Sequence, residues 1–206
     1  FFARQFLTSS YDSDPARLWD SLESANQQVG AKITASDGSL KGMGTTLVGV
    51  LLRGSSLRWI SVGDSPLYLF RDGELQQLNE THTNAVTLDQ QAREGIISKE
   101  EALSDPERKF LNSALIGEEL YHVDDSESFD LCPGDVIIAA TDGVQSLSTE
   151  QIGEAVRLCL GQGSSAIAEG ILNRISSEKR SLQDNATVVV VRASAEGSGI
   201  QSFDSE

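Results

Sequence analysis

The stretch VIIAATDGVQS, residues 136–146, decides how this chain is read. Five apolar residues, Val136 to Ala140, form a run of strand length with β-branched character, which predicts a buried β-strand. It ends abruptly at Asp142-Gly143. A second apolar run, ATVVVV at 186–191, is preceded by Asp184-Asn185. If these strands are antiparallel neighbours, the C-terminal end of one and the N-terminal end of the other lie at a single rim. Asp142 and Asp184 then face one point. Adjacent carboxylates repel unless a divalent cation neutralises them, and hard oxygen donors suit manganese or magnesium. Asp-Gly and Asp-Asn are also common turn dipeptides, so each acid taken singly has a second reading as a turn residue.

Working outward, Asp14-Pro15 predicts an N-cap with proline in the first turn, and Leu18, Leu22, Ala25 and Val29 recur at helical spacing before Gly30. Phe1-Phe2 opens on what reads as the tail of an amphipathic helix. Four β-rich runs follow, at 45–52, 57–63, 66–70 and 74–78, separated by turn residues, which predicts an antiparallel meander. Residues 84–104 turn helical, with Ser98 as an N-cap and glutamates behind it, and Asp105-Pro106 ends them. Ser148 or Thr149 caps a further helix, and another occupies the stretch after Gly163. Strands in a meander with helices in blocks indicate an α+β domain: an antiparallel β-sandwich flanked by helices, in four layers α-β-β-α. Both apolar strands are expected to be covered on both faces. The expected domain spans 1–193, with 194–206 as a flexible tail.

Sixteen basic residues against thirty-one acidic ones give a formal charge of −15, which repels nucleic-acid backbones and anionic lipid heads. No nucleic-acid partner is expected. Cys132 and Cys159 show neither CxxC spacing nor a histidine cluster, which argues against zinc and a disulfide framework and for two buried thiols. No apolar run reaches the roughly 20 residues of a membrane span, and the first residues lack a secretory signal, so a cytoplasmic location is the default. The acidic run at 118–127 does not match an EF-hand and reads as a solvated charge run.

The strings GMGTTLVGVLL, WISVGDSPLYLFRDGELQQL, LCPGDVIIAATDGV and DNATVVVV together resemble, in order, the metal-dependent serine/threonine protein phosphatases of type 2C (the PPM family), in their bacterial branch. The segment AVTLDQQAREGIISKEEALSDPERKFLNSALIG resembles that branch's helix, flap and return. The resemblance spans about residues 1–192. It implies a β-sandwich with two Mn2+ or Mg2+ ions at one rim, ligated by Asp142 and Asp184 among others. It also implies a phosphorylated protein substrate made by a serine/threonine kinase. Metal-activated water makes a protein nucleophile unnecessary, so no side chain is assigned as catalytic. Residues 95–118 correspond to the flap beside the site.

The same resemblance marks departures. The family's phosphate-binding arginine, acidic pair and DGMGG-like loop with its bridging aspartate lie ahead of the helix that Phe1 enters, so a segment upstream of Phe1 is expected to supply them. Asp37-Gly38 reads as a turn. In the family's third metal site, Thr81 and Ser146 stand where aspartates are expected, which implies a weak or absent third ion. His82 reads as a polar surface residue, Asp64 as a structural turn, and Met43 as core filler beside glycines that permit close strand packing. A catalytically impaired, phosphatase-like regulatory or phosphoprotein-binding module is the alternative.

Overall fold

The computed structural model describes residues 1–178 and 183–194. Helices α1 (Phe2–Thr8) and α2 (Asp14–Ala35) lead into strands β1 (Leu47–Arg53), β2 (Ser56–Val62), β3 (Leu67–Arg71) and β4 (Glu74–Gln77). Helices α3 (Asn84–Arg93) and α4 (Lys99–Ser104) follow, then the two-residue strands β5 (Asp124–Asp125) and β6 (Phe129–Asp130). The chain closes with β7 (Val136–Ala140), α5 (Thr149–Cys159), α6 (Ser164–Ser177) and β8 (Val188–Arg192). The expected tail lies, but for Ser194, outside the described residues.

Two antiparallel sheets result. In one, β1 and β2 pair along their whole length and β5 and β6 pair with β2; in the other the order is β4-β3-β7-β8. The single meander read from sequence is therefore two hairpins, because the chain changes sheet between β2 and β3 at Gly63–Pro66.

Strand periodicity explains the layers, since alternate side chains leave opposite faces of a strand. Leu57 and Trp59 of β2, Leu67 and Leu69 of β3, and Ile137 of β7 point inward and form the core between the sheets. The alternate positions of β3 and β7 (Tyr68, Phe70, Val136, Ile138 and Ala140) pack against Ile152, Val156, Ile167 and Ile171 of α5 and α6. On the other side, Ile60 and Val62 of β2 meet Leu18 and Leu22 of α2. Three cores between four layers make the α-β-β-α sandwich expected from the sequence.

The departures are local and have identifiable causes. Helix α2 is capped by Ser13 and continues through Gly30 to Ala35. Gly30 is a packing residue, not a terminator: a Cβ there would sit 2.7 Å from the Cα of Gly117. Ser98 and Ser148 both form complete capping boxes, with Glu101 and Gln151 respectively. Strand β8 is covered on one face only, leaving Val189 and Val191 exposed. Cys132 is exposed and Cys159 partly so, against the expectation of two buried thiols. The acidic run is not simply solvated: Asp124 accepts hydrogen bonds from the Trp59 indole and the Glu80 amide, and Asp125 from the Trp19 indole.

One buried charge ties the second sheet together at the end away from Asp142. Asp135, 2% exposed, accepts two bonds from the Arg71 guanidinium, at 2.8 and 2.6 Å, and one from the Cys132 amide. The Arg71 guanidinium holds the Asp135 carboxyl below the ordinary aspartate value of 3.8. With the folded value depressed, its contribution is complete above the unfolded value and is lost as pH falls through the folded one. Asp135→Asn should cost about 3 kcal/mol in urea titrations at neutral pH, since it leaves a guanidinium without its counter-charge. The gap between variant and parent should narrow as the titrations move below pH 4.

Candidate metal-binding rim

The β7–β8 ladder sets where the two acid-bearing segments lie. Strand β7 pairs antiparallel with β8, ending at Ala140 opposite Val188. Beyond the last pair Thr141 extends the contact. Its amide donates to the Thr187 carbonyl (3.1 Å), its hydroxyl accepts from the Thr187 amide (3.0 Å), and that hydroxyl donates to the Asn185 carbonyl (3.3 Å). Each strand thus delivers its aspartate to the same end of the sandwich.

Asp142 begins a short 3-10 turn, Asp142–Ser146, which the sequence reading had not anticipated. The turn follows from anchoring on both sides. Val144 is fully buried in the α5–α6 core, while Gly143 lies flat on the opposing chain. A Cβ on Gly143 would stand 2.4 Å from the Asn185 carbonyl oxygen and 3.0 Å from that of Asp184. The Gln183 side-chain amide donates to the Gly143 carbonyl at 3.0 Å, closing the junction. Asp184 is exposed, and its Oδ1 accepts the Asn185 amide at 2.7 Å.

Asp64 joins them, against its reading as a purely structural turn. It lies in the crossover from β2 to β3, partly buried, and its carbonyl accepts the Gln145 side-chain amide at 2.9 Å. Burial raises the pKa of its carboxyl, and the negative charge of Asp142 raises it further. The rim therefore concentrates negative charge, and no ion pair involving Asp64, Asp142 or Asp184 is present among the described residues. Nor do the described residues contain a ready cluster of three or more His, Cys, Asp or Glu side chains that could hold a metal ion. The hydrophilic acid-after-glycine pattern of VGDS reads as a turn because its neighbour, Asp142, is distant in sequence; only the crossover's position reveals the pairing.

The LNETHT segment braces that crossover. Asn79 accepts the Leu67 amide and donates to the Ser65 carbonyl and the Ser61 hydroxyl, while Thr46 and Ser65 share a hydroxyl contact at 2.7 Å. His82 is 4% exposed, not a surface residue: in sequence nothing distinguishes it from a polar loop residue, and its burial comes from packing across elements. Thr81 and Ser146, where the sequence reading expected third-site aspartates, are engaged locally. Thr81 accepts from the Gln77 side chain at 3.0 Å, and Ser146 donates to the Gly143 carbonyl at 3.0 Å.

Comparison with known proteins agrees with this architecture. The serine/threonine protein phosphatase PstP of Mycobacterium tuberculosis is 34% identical over 177 residues, 85% of this chain and 32% of that protein. The Listeria welshimeri serine/threonine phosphatase stp is 29% identical over 176 residues, 85% of this chain and 60% of that protein. The chain thus spans about a third of the mycobacterial relative's length. A crystal structure of the M. tuberculosis phosphatase superposes with a TM-score of 0.73 at 29% identity, covering 94% of this chain and 80% of the other. Another, of the PstP catalytic domain with two manganese ions, gives 0.70 at 28% identity, covering 91% and 75%. No family model matches. The four-layer sandwich is thus shared with these serine/threonine phosphatases. The chain belongs to the type 2C family of serine/threonine protein phosphatases, in its bacterial branch.

Because Gly143 has no room for a side chain, Gly143→Ala should destabilise the fold by about 1–3 kcal/mol, seen as a lowered midpoint in thermal unfolding.

Proposed function

We propose that this protein is a metal-dependent phosphatase that removes phosphate from phosphoserine or phosphothreonine on proteins, with Asp142 and Asp184 among the ligands of a two-ion manganese centre. The observation that carries the reading is the β7–β8 pairing, which brings the segments bearing Asp142 and Asp184 to one end of the sandwich, where the Asp142 charge is also felt at Asp64. The donor chemistry suits a hard divalent cation: carboxylate oxygens, without a basic side chain paired to any of them among the described residues.

Such a cation, when bound, supplies a water of lowered pKa and stabilises charge on the phosphoryl oxygens. The chain's own residues then set the geometry. Thr141 and Gly143 fix the spacing of the two ligand-bearing segments. The Asp64 carboxyl is near enough to feel the Asp142 charge and adds negative potential that favours the cation. Magnesium in place of manganese, a kinase as the source of the substrate and a cytoplasmic setting belong to the same proposal. No helix among the described residues is long and apolar enough to cross a membrane. The flap segment, residues 95–118, exposes Ile96, Leu103 and Phe110, and α3 before it exposes Val86, apolar contact area suited to a protein substrate.

Asp184→Asn in the full-length protein should abolish manganese-dependent hydrolysis of an aryl phosphate while leaving the thermal midpoint nearly unchanged, because the exposed carboxylate supports little packing. Full activity in that variant would refute the assignment. A third ion should bind weakly or not at all, since Thr81 and Ser146 offer hydroxyls already engaged with Gln77 and Gly143. Crystals soaked in high manganese should show at most weak density there, and a well-occupied third site would count against this.

A further inference from the structure

His82 occupies the neck of the flap, where the chain leaves for α3 and returns after α4. Its carbonyl accepts the Asn112 amide at 3.0 Å; beside it Thr83 and Leu111 form an isolated antiparallel bridge, and the Asn84 amide donates to the Phe110 carbonyl. Its main chain therefore belongs to the flap. Its side chain and its own amide reach the other way. The His82 amide donates to the Gly63 carbonyl at 3.0 Å, and His82 Nδ1 accepts the Gly63 amide at 3.1 Å. Both polar groups of one glycine are thus taken by one histidine.

Gly63 needs holding. Its φ is +102°, and a Cβ would lie 2.3 Å from Thr46 Cγ2, so the crossover can follow this path only as glycine and only if its backbone is fixed. Asp64, the next residue, feels the charge of Asp142. The acceptor role of Nδ1 requires a neutral imidazole with its proton on Nε2. That Nε2 is buried without a hydrogen-bond partner among the described residues, a cost retained at this position. The proton on Nε2 prevents that nitrogen from ligating a cation in this tautomer, which separates His82 from the metal chemistry.

Resting on the assignment of Asp142 and Asp184 as cation ligands, we propose that His82 is a positioning residue: a neutral clasp that joins the flap neck to the Gly63–Asp64 turn and so couples the flap to the acidic rim. Protonation of Nδ1 would turn the acceptor into a donor facing the Gly63 amide. Burial lowers the His82 pKa from its ordinary 6.5, opposed by Asp124 and Glu80 and reinforced by His122, whose ring centre is 6.1 Å away. The clasp is closed at neutral pH. Because the folded value is depressed, its stabilising contribution is present above 6.5 and declines as pH falls below that value toward the folded one.

The test compares His82→Asn with His82→Gln in the full-length protein. Asparagine places its carbonyl oxygen near the position of Nδ1, whereas glutamine carries its polar end out to the position of Nε2. Amide hydrogen exchange at Gly63 should speed about tenfold in the glutamine variant and stay near the parent in the asparagine variant. In the parent, the imidazole 15N shifts should report a single neutral form protonated at Nε2. Calorimetric manganese affinity should fall with glutamine and be retained with asparagine. Unchanged Gly63 exchange in His82→Gln, or a His82 protonated at Nδ1 at neutral pH, overturns the clasp. Faster Gly63 exchange with unaltered manganese affinity, while Asp142→Asn abolishes uptake, overturns the coupling alone. Should the parent take up no manganese, the metal assignment falls, and the Gly63 and 15N results still decide the clasp.

Discussion

The antiparallel register between β7 and β8 is the constraint on which the rest of the molecule depends. Two strands forty-odd residues apart in sequence can present their acids at one edge only if they pair directly and in the observed alignment, Ala140 against Val188. A slip of one residue would turn Val136, Ile138 and Ala140 away from α5 and α6, so the hydrophobic cost of repacking that core protects the register. The rim is inherited from the core: packing of apolar side chains on one face fixes where carboxylates stand at the end.

Around that register the molecule spends polar contacts where the backbone is irregular. The crossover from β2 to β3 leaves both sheets, and buried main-chain groups there need partners that no ladder can supply. Asn79 and His82 supply them, and a hydroxyl contact between Thr46 and Ser65 braces the turn. The same segment carries Asp64 to Asp142, so the residues that repair the backbone also determine the local electrostatics.

Much of this was legible in the amino-acid sequence because it follows from local pattern. The short apolar and β-rich runs mark the strands, Ser98 with glutamates behind it and Ser148 mark helix starts, and the apolar runs beside Asp142 and Asp184 place the acids at strand ends. What was not legible depends on contacts between distant segments. Gly30 looks like a helix stop and is instead a contact point with Gly117. His82 looks like a surface residue because its burial arises from the flap neck and the crossover meeting over it. Asp64 looks like a turn because Asp142 is 78 positions away. Sequence periodicity carries no information about which loops share a rim.

The meeting of Gly30 with Gly117 has a mechanical consequence. Asn26, one helical turn before Gly30, accepts the Gly117 amide at 2.8 Å and donates to the Glu118 carbonyl at 2.6 Å. The chain returning from the flap is thereby riveted to a 22-residue helix at backbone contact distance. A hinge cannot sit on a rivet. Whatever opening and closing α3 and α4 undergo must pivot upstream of residue 117, so the lever arm is short and substrate-sized excursions leave α2 and the first sheet at rest.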